Sequence, residues 1–179
     1  MLVKTFTETG FKPFPSPHIS DDAYAQCLQS AAIGAADVIP IDRKNRTIYL
    51  AWRRRKPAQG WWFFGGRVKA SETNASAAIR CFARETKVSL GLDRITHIAV
   101  LDYLWKDRAQ EPCDMGCHTI GHTFVVELSS DELVVLRHEL EPGEYDYEKG
   151  IRAFNREELV FENVLPPVIE LYDEIFKQQ

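Results

Sequence analysis

Two adjacent glycines, Gly65 and Gly66, close an aromatic run, and a helix-like segment opens shortly after them near Thr73. Such a pair admits positive φ and lets the backbone approach a ligand closely. The free N–H groups and the positive dipole end of the following helix would lie beside the same loop, an arrangement suited to phosphate. Within that helix Cys81, Arg84 and Glu85 fall at i, i+3 and i+4 and therefore share a face. A carboxylate cluster on such a face would hold magnesium against a diphosphate. Here only Glu85 has that chemistry, and Arg84 sets a positive charge beside it. Opposite unit charges ~4 Å apart attract by roughly 4 kcal/mol at a surface-like dielectric, so Arg84 weakens a cation site at Glu85 unless it turns away.

Other groups carry chemistry of their own. Arg53-Arg54-Arg55-Lys56 ends a strand-like run, where alternate side chains face opposite ways. Two of the four are then expected in a ligand cleft, with Arg53 gripping phosphate in the bidentate geometry that guanidinium favours. Cys113, Cys117, His118 and His122 are zinc-capable, but His118 and His122 on one strand stand ~13 Å apart, too far to share an ion without a bend. Glu141, Glu144 and Glu148 sit in an acidic loop, as solvated acids or as a general base raised by burial. Trp61, Trp62 and Trp105 are core or cleft wall, with base stacking by one of them as the alternative.

These residues need positioning elements. Ser20 is an N-cap signal for a short helix to about Ser30, with Asp21 and Asp22 in its first turn. AADVIPID and TIYLAWR read as a hairpin across RKNR, and GWWFF as one short aromatic strand. Residues 73–87 read as a helix burying Ala75, Ile79, Phe82 and Thr86. ITHIAVLDYLW and HTIGHTFVVEL are two further strands, SSDEL a capped turn, IRAF a short strand and NREEL a polar turn. Pro166-Pro167 opens a last amphipathic helix with Val168, Leu171, Tyr172, Ile175 and Phe176 on one stripe. Strands and helices mix without regular alternation, which predicts an α+β sandwich rather than a doubly wound sheet.

The 179 residues suit one domain, preceded by an extended proline-bearing lead-in over residues 1–19 that could wrap the surface or a partner subunit. A net charge of −4 gives no electrostatic reason to expect nucleic acid as a partner. No stretch approaches the ~18 apolar residues of a membrane span, and the opening residues lack the apolar core of a signal peptide. A cytoplasmic protein with four reduced cysteines is expected.

Gly66, Glu72, Arg80, Glu85 and Val88 match the Nudix box, G-x5-E-x7-R-E-U-x-E-E-x-G-U with U a bulky aliphatic residue, and the chain resembles that family. Cys81, Arg84 and Lys87 stand where the pattern carries Glu, Glu and Gly. The run RRRKPAQGWWFFGGRVKASET is further similar to the GDP-mannose mannosyl hydrolase branch, which reads PAQGYWFVPGGRV. That branch also lacks the first two helix carboxylates and keeps the last, here Glu85.

The resemblance implies a Nudix-type α/β/α sandwich with a mixed β-sheet. It implies a Mg²⁺-dependent hydrolase of a nucleoside diphosphate derivative, a GDP-mannose-like nucleotide sugar, in a homodimer. It places the metal on Gly66, Glu72 and Glu85, the substrate on Asp37, Arg53, Arg67, Arg80 and His118, and catalysis on Arg67 and Glu85. The branch's Gln-His pair is absent from GEYDYEKGIRAF, where Glu148 falls nearest the position of the base. The proline before the glycines is also missing. With those losses the alternative is a Nudix-fold protein that binds a nucleotide sugar or diphosphate without turnover.

Overall fold

The computed structural model describes residues 4–177. Its centre is a seven-stranded mixed sheet. Strands β1 (Ile33–Asp42), β2 (Thr47–Arg53), β3 (Gly60–Trp62), β4 (Phe64–Arg67), β5 (Thr96–Trp105), β6 (Cys117–Glu127) and β7 (Ile151–Phe154) run in the order β3-β2-β1-β6-β5, with β4 on β1 and β7 on β2. The β1–β6 ladder is parallel, from Ile33 opposite Thr119 to Ile41 opposite Glu127, and the other ladders are antiparallel.

Helices cover both faces. α1 (Asp21–Ser30) is capped by the Ser20 hydroxyl, which accepts from the Ala23 N–H at 3.3 Å. α2 (Asn74–Thr86) and α3 (Ser130–His138) pack on one face, and α4 (Arg156–Phe161) and α5 (Pro166–Phe176) on the other. Two cores result. One sets Phe64, Val38 and Phe124 against Ala78 and Phe82 of α2, with Phe64 and Phe82 edge to face at 5.5 Å. The other sets Ile39, Leu50 and Trp62 against Val168, Leu171 and Ile175. The expected α+β architecture, three layers around a mixed sheet, is present.

Several elements differ from the sequence reading. GWWFF is two strands rather than one: Gly60–Trp62 pairs with β2 and Phe64–Arg67 crosses to β1. Phe63 at the break turns its ring into the α5 core while Phe64 enters the α2 core. NREEL is a helix, because Asn155 and Glu158 form a reciprocal capping box. SSDEL extends to a helix of nine residues on the same device, Ser129 with Glu132. The lead-in carries neither helix nor strand from residue 4 to residue 19, and its first three residues lie outside those described. Among the described residues no helix is long and apolar enough to cross a membrane.

α2 ends without the glycine of the box. Lys87 takes the left-handed conformation itself, at φ 59°, and its N–H closes on the Ala83 carbonyl. Its ammonium reaches the Arg84 carbonyl at 2.9 Å, satisfying a helix-end acceptor that would otherwise lack a partner.

Candidate active site

β4 brings the glycines against the middle of β1, with Gly65 opposite Asp37 and Gly66 opposite Ala36. A Cβ on Gly65 would fall on the Asp37 carboxylate and within 2.6 Å of the Ala36 carbonyl oxygen, so no larger residue fits without moving backbone. A Cβ on Gly66 would come 3.3 Å from the Cys81 sulfur. Cys81 is fully buried beneath that glycine, where it fills space as a small apolar group.

Glu85 reaches the same loop from the last turn of α2 and is 2% exposed. Its Oε2 accepts from the Gly65 N–H at 3.0 Å and from the Tyr145 hydroxyl at 2.6 Å. Its Oε1 accepts from the Arg84 guanidinium at 2.5 Å. Burial pushes the Glu85 carboxyl above its usual range, and these three donors oppose that push.

Asp37 stands beside it in the centre of β1. Burial first, and the neighbouring Glu85 second, raise its pKa to about 8, against the opposing charge of Arg53. Two buried hydroxyls of the same sheet face, Tyr103 on β5 and Thr123 on β6, lie close to each other and make no other hydrogen bond among the described residues. The cleft floor thus holds a carboxyl that keeps its proton at neutral pH, next to hydroxyls with unused hydrogen-bonding capacity.

Arginines line the walls. Arg53 ends β2, with Nη1 donating to the Pro57 carbonyl at 2.9 Å and Nε 3.8 Å from Glu144. Arg67 ends β4 and lies over the ring of Tyr24 from α1, 4.7 Å from its centroid. Arg84 is half-exposed on the outer part of the cleft. Three residues of the Arg53–Lys56 run line the cleft rather than the two expected, because β2 stops at Arg53 and strand alternation ends there. Arg54 turns away to Asp146 at 3.3 Å.

The structure therefore gathers Asp37, Arg53, Gly66, Arg67 and Glu85 at one cleft, and sends other expected residues elsewhere. Glu72, expected as a metal ligand, makes two contacts to Arg80 at 2.5 and 2.8 Å. Arg80 also donates to the Arg67 carbonyl at 3.0 Å, so this pair fastens the glycine loop to α2 and neither member lines the cleft. Glu148 is exposed outside the cleft, because Asp146 caps a tight turn that projects it into solvent. The same loop delivers Glu144 and Tyr145 instead. His118 points to the opposite sheet face and pairs with Asp102 at 3.0 Å, leaving Thr119 to line the cleft. His122 bonds Asn74 and His97 rather than a metal.

Three contributors escaped the sequence reading. Tyr24 belongs to a helix far from the box, and Arg108 to a loop whose side-chain directions no periodicity reveals. Tyr145 carried one available signal, an aromatic flanked by acids in an otherwise polar loop.

The magnesium site implied by the family resemblance does not fit this donor set as arranged. Glu72 is held by Arg80, and the free oxygen of Glu85 is held by a guanidinium where a cation would sit. Among the described residues no three His, Cys, Asp or Glu groups converge to hold an ion.

The sequence pattern of the NUDIX domain family matches residues 33–175. No curated protein matches the chain. Among solved structures, the chain is similar to a MutT NUDIX hydrolase from Burkholderia pseudomallei, with 17% identity and a TM-score of 0.62, over 82% of this chain and 99% of that one. It is also similar to the ORF135 protein of E. coli, with 18% identity and a TM-score of 0.55, over 84% and 93%. At these identities the likeness shows the fold, and family membership rests on the match over residues 33–175. The chain belongs to the NUDIX domain family, whose hydrolases act on nucleoside diphosphate derivatives.

Proposed function

We propose that this cleft hydrolyses a nucleotide sugar of the GDP-mannose kind at its sugar carbon. The observation that carries the reading is Asp37, a buried carboxyl with pKa about 8 on the floor of a cleft walled by Arg53 and Arg67. Arg53, Arg67 and Arg84 hold the diphosphate and take up the charge it gains on leaving. Asp37, once deprotonated, accepts a proton from the attacking water. The water oxygen bonds to the sugar carbon, the bond from that carbon to the diphosphate oxygen breaks, and its electron pair stays on the leaving phosphate. A carboxylate raised towards the working pH is suited to this proton transfer. Burial, with the neighbouring Glu85 adding to it, keeps Asp37 in that range, and Glu85 through Gly65 holds the loop in register with β1.

A second reading, binding without turnover, is favoured by the Arg84–Glu85 ion pair, which puts a fixed cation where the box carries a metal-binding carboxylate. Incubation with a panel of GDP- and UDP-sugars, in magnesium and in EDTA, separates the two. Release of free sugar with nucleoside diphosphate, abolished by Asp37→Asn, supports hydrolysis. Saturable binding with no product in either condition supports the second reading. Absence of both binding and product contradicts each.

A further inference from the structure

The loop between β5 and β6 closes around one guanidinium. Arg108 is 0% exposed. Its Nε donates to the Gln110 carbonyl and its Nη2 to the Glu111 carbonyl, each at 3.1 Å. Its Nη1 has no partner among the described residues. The adjacent acid, Asp107, pairs instead with Lys56 at 3.2 Å, so no carboxylate balances Arg108. A buried guanidinium with an unused donor is costly to leave unmatched, and such groups call for an explanation.

The surroundings supply one. Arg108 is part of the outer cleft wall, together with Arg55, Lys56 and Gln110. That wall carries six arginine or lysine residues against three carboxylates, and Asp107 beside it pairs with Lys56, which leaves a surplus of two positive charges. Arg53, Arg67 and Arg84 line the diphosphate grip of the proposed function, so Arg108 and Arg55 are basic groups beyond that grip.

We infer that Arg108, with Arg55 and Lys56, forms a second oxyanion subsite in this cleft, for a phosphate monoester or carboxylate carried by the substrate away from its diphosphate. The assignment of the substrate as a nucleoside diphosphate derivative rests on the proposed function. The subsite stands on Arg108 and is tested separately. The substrate class becomes a nucleotide derivative with an extra acidic group, on the sugar or on the ribose.

Titration of the full chain with inorganic phosphate, followed by amide NMR, reads the two grips independently. Amides of residues 108–117 shift on phosphate addition, and Arg108→Gln removes that response while leaving shifts at residues 65–67 within about twofold. Arg108 is buried and its replacement could loosen the loop, so the more exposed Arg55→Gln and Lys56→Met serve as a second pair, each weakening the 108–117 response at least threefold. No wild-type response at 108–117, or one unchanged in all three variants, overturns the subsite. A silent 65–67 loop beside a responding 108–117 loop supports the subsite and counts against the diphosphate grip instead. UDP-glucuronate against UDP-glucose, and adenosine 3′,5′-bisphosphate against adenosine 5′-monophosphate, separate the two sources of the anion. Tighter binding of the acidic member of one pair by tenfold or more, lost in Arg108→Gln, supports the assignment. Equal affinities within both pairs overturn it.

Discussion

The Tyr145 hydroxyl donates a 2.6 Å hydrogen bond to Glu85 across 60 residues of sequence, joining the β6–β7 connection to the end of α2. Both groups are almost fully buried, at 1% and 2% exposure. Tyr145→Phe therefore leaves a buried carboxylate short of one donor and should lower stability by about 1–3 kcal/mol in urea unfolding. Because Glu85 also holds the Gly65 N–H, the same variant should weaken diphosphate binding. An unchanged midpoint would show that Glu85 does not depend on this bond.

Asp37 sets a pH dependence whose direction follows from its raised pKa. The folded chain keeps this proton up to about pH 8, while the unfolded chain releases it near the ordinary carboxyl value of 3.8. Unfolding thus releases a proton in that window, and stability falls as pH rises, by up to ~1.4 kcal/mol per unit. Glu85, also pushed up by burial, contributes with the same sign. Asp37→Asn should flatten the curve between pH 4 and about 8 without abolishing its slope. A parallel curve for the variant would place Asp37 in an ordinary carboxyl environment.

Arg84 occupies the oxygen of Glu85 that a cation would need. Arg84→Ala frees that oxygen and removes the repelling charge, so the variant should bind Mg²⁺ at least tenfold more tightly than the parent by calorimetry, a gain of ~1.4 kcal/mol. It should bind inorganic diphosphate more weakly in EDTA. Equal magnesium affinity in both proteins would mean that Arg84 does not obstruct the ion.

Glu72 fastens the loop through Arg80. Glu72→Gln should cost about 1 kcal/mol of stability, as for a partly exposed ion pair, and leave magnesium affinity unchanged. A large loss of metal binding would return Glu72 to the ligand role expected from the box.

Gly65 has no room for a side chain against Ala36 and Asp37. Gly65→Ala should destabilise the fold by about 3 kcal/mol, since backbone rather than a flexible side chain must move. Thermal unfolding measures this directly.

Much of the frame was legible because its signals are local. Ser20 and Thr73 announced two helix starts, and β-rich runs bounded by polar turns announced β1, β2, β5 and β6. The split of GWWFF was hidden because four aromatics in a row carry no alternation to say which face each takes. Within the site, the glycine loop and Glu85 followed from spacing within one strand–loop–helix unit and Arg53 from its place at a strand end, whereas Arg67 and Asp37 were expected only from the family resemblance. Glu148 did not, because a tight turn around Asp146 rotates the loop, and turn register leaves no trace in composition. Arg84 was recognised as an obstruction from its position alone, whereas Tyr24, Arg108 and Tyr145 reach the cleft through tertiary packing that spacing does not encode.

Hydrolysis of a nucleotide sugar at its sugar carbon by Asp37 and the arginine walls can be followed by incubating GDP-mannose with the parent chain and with Asp37→Asn at pH 8.5 and quantifying all products. The account predicts mannose and GDP in equal amounts from the parent, with a rate lower by roughly 10²–10⁴-fold in the variant, the range for loss of a general base. Equal rates in the two proteins, release of GMP with mannose 1-phosphate, or no turnover by the parent would contradict it.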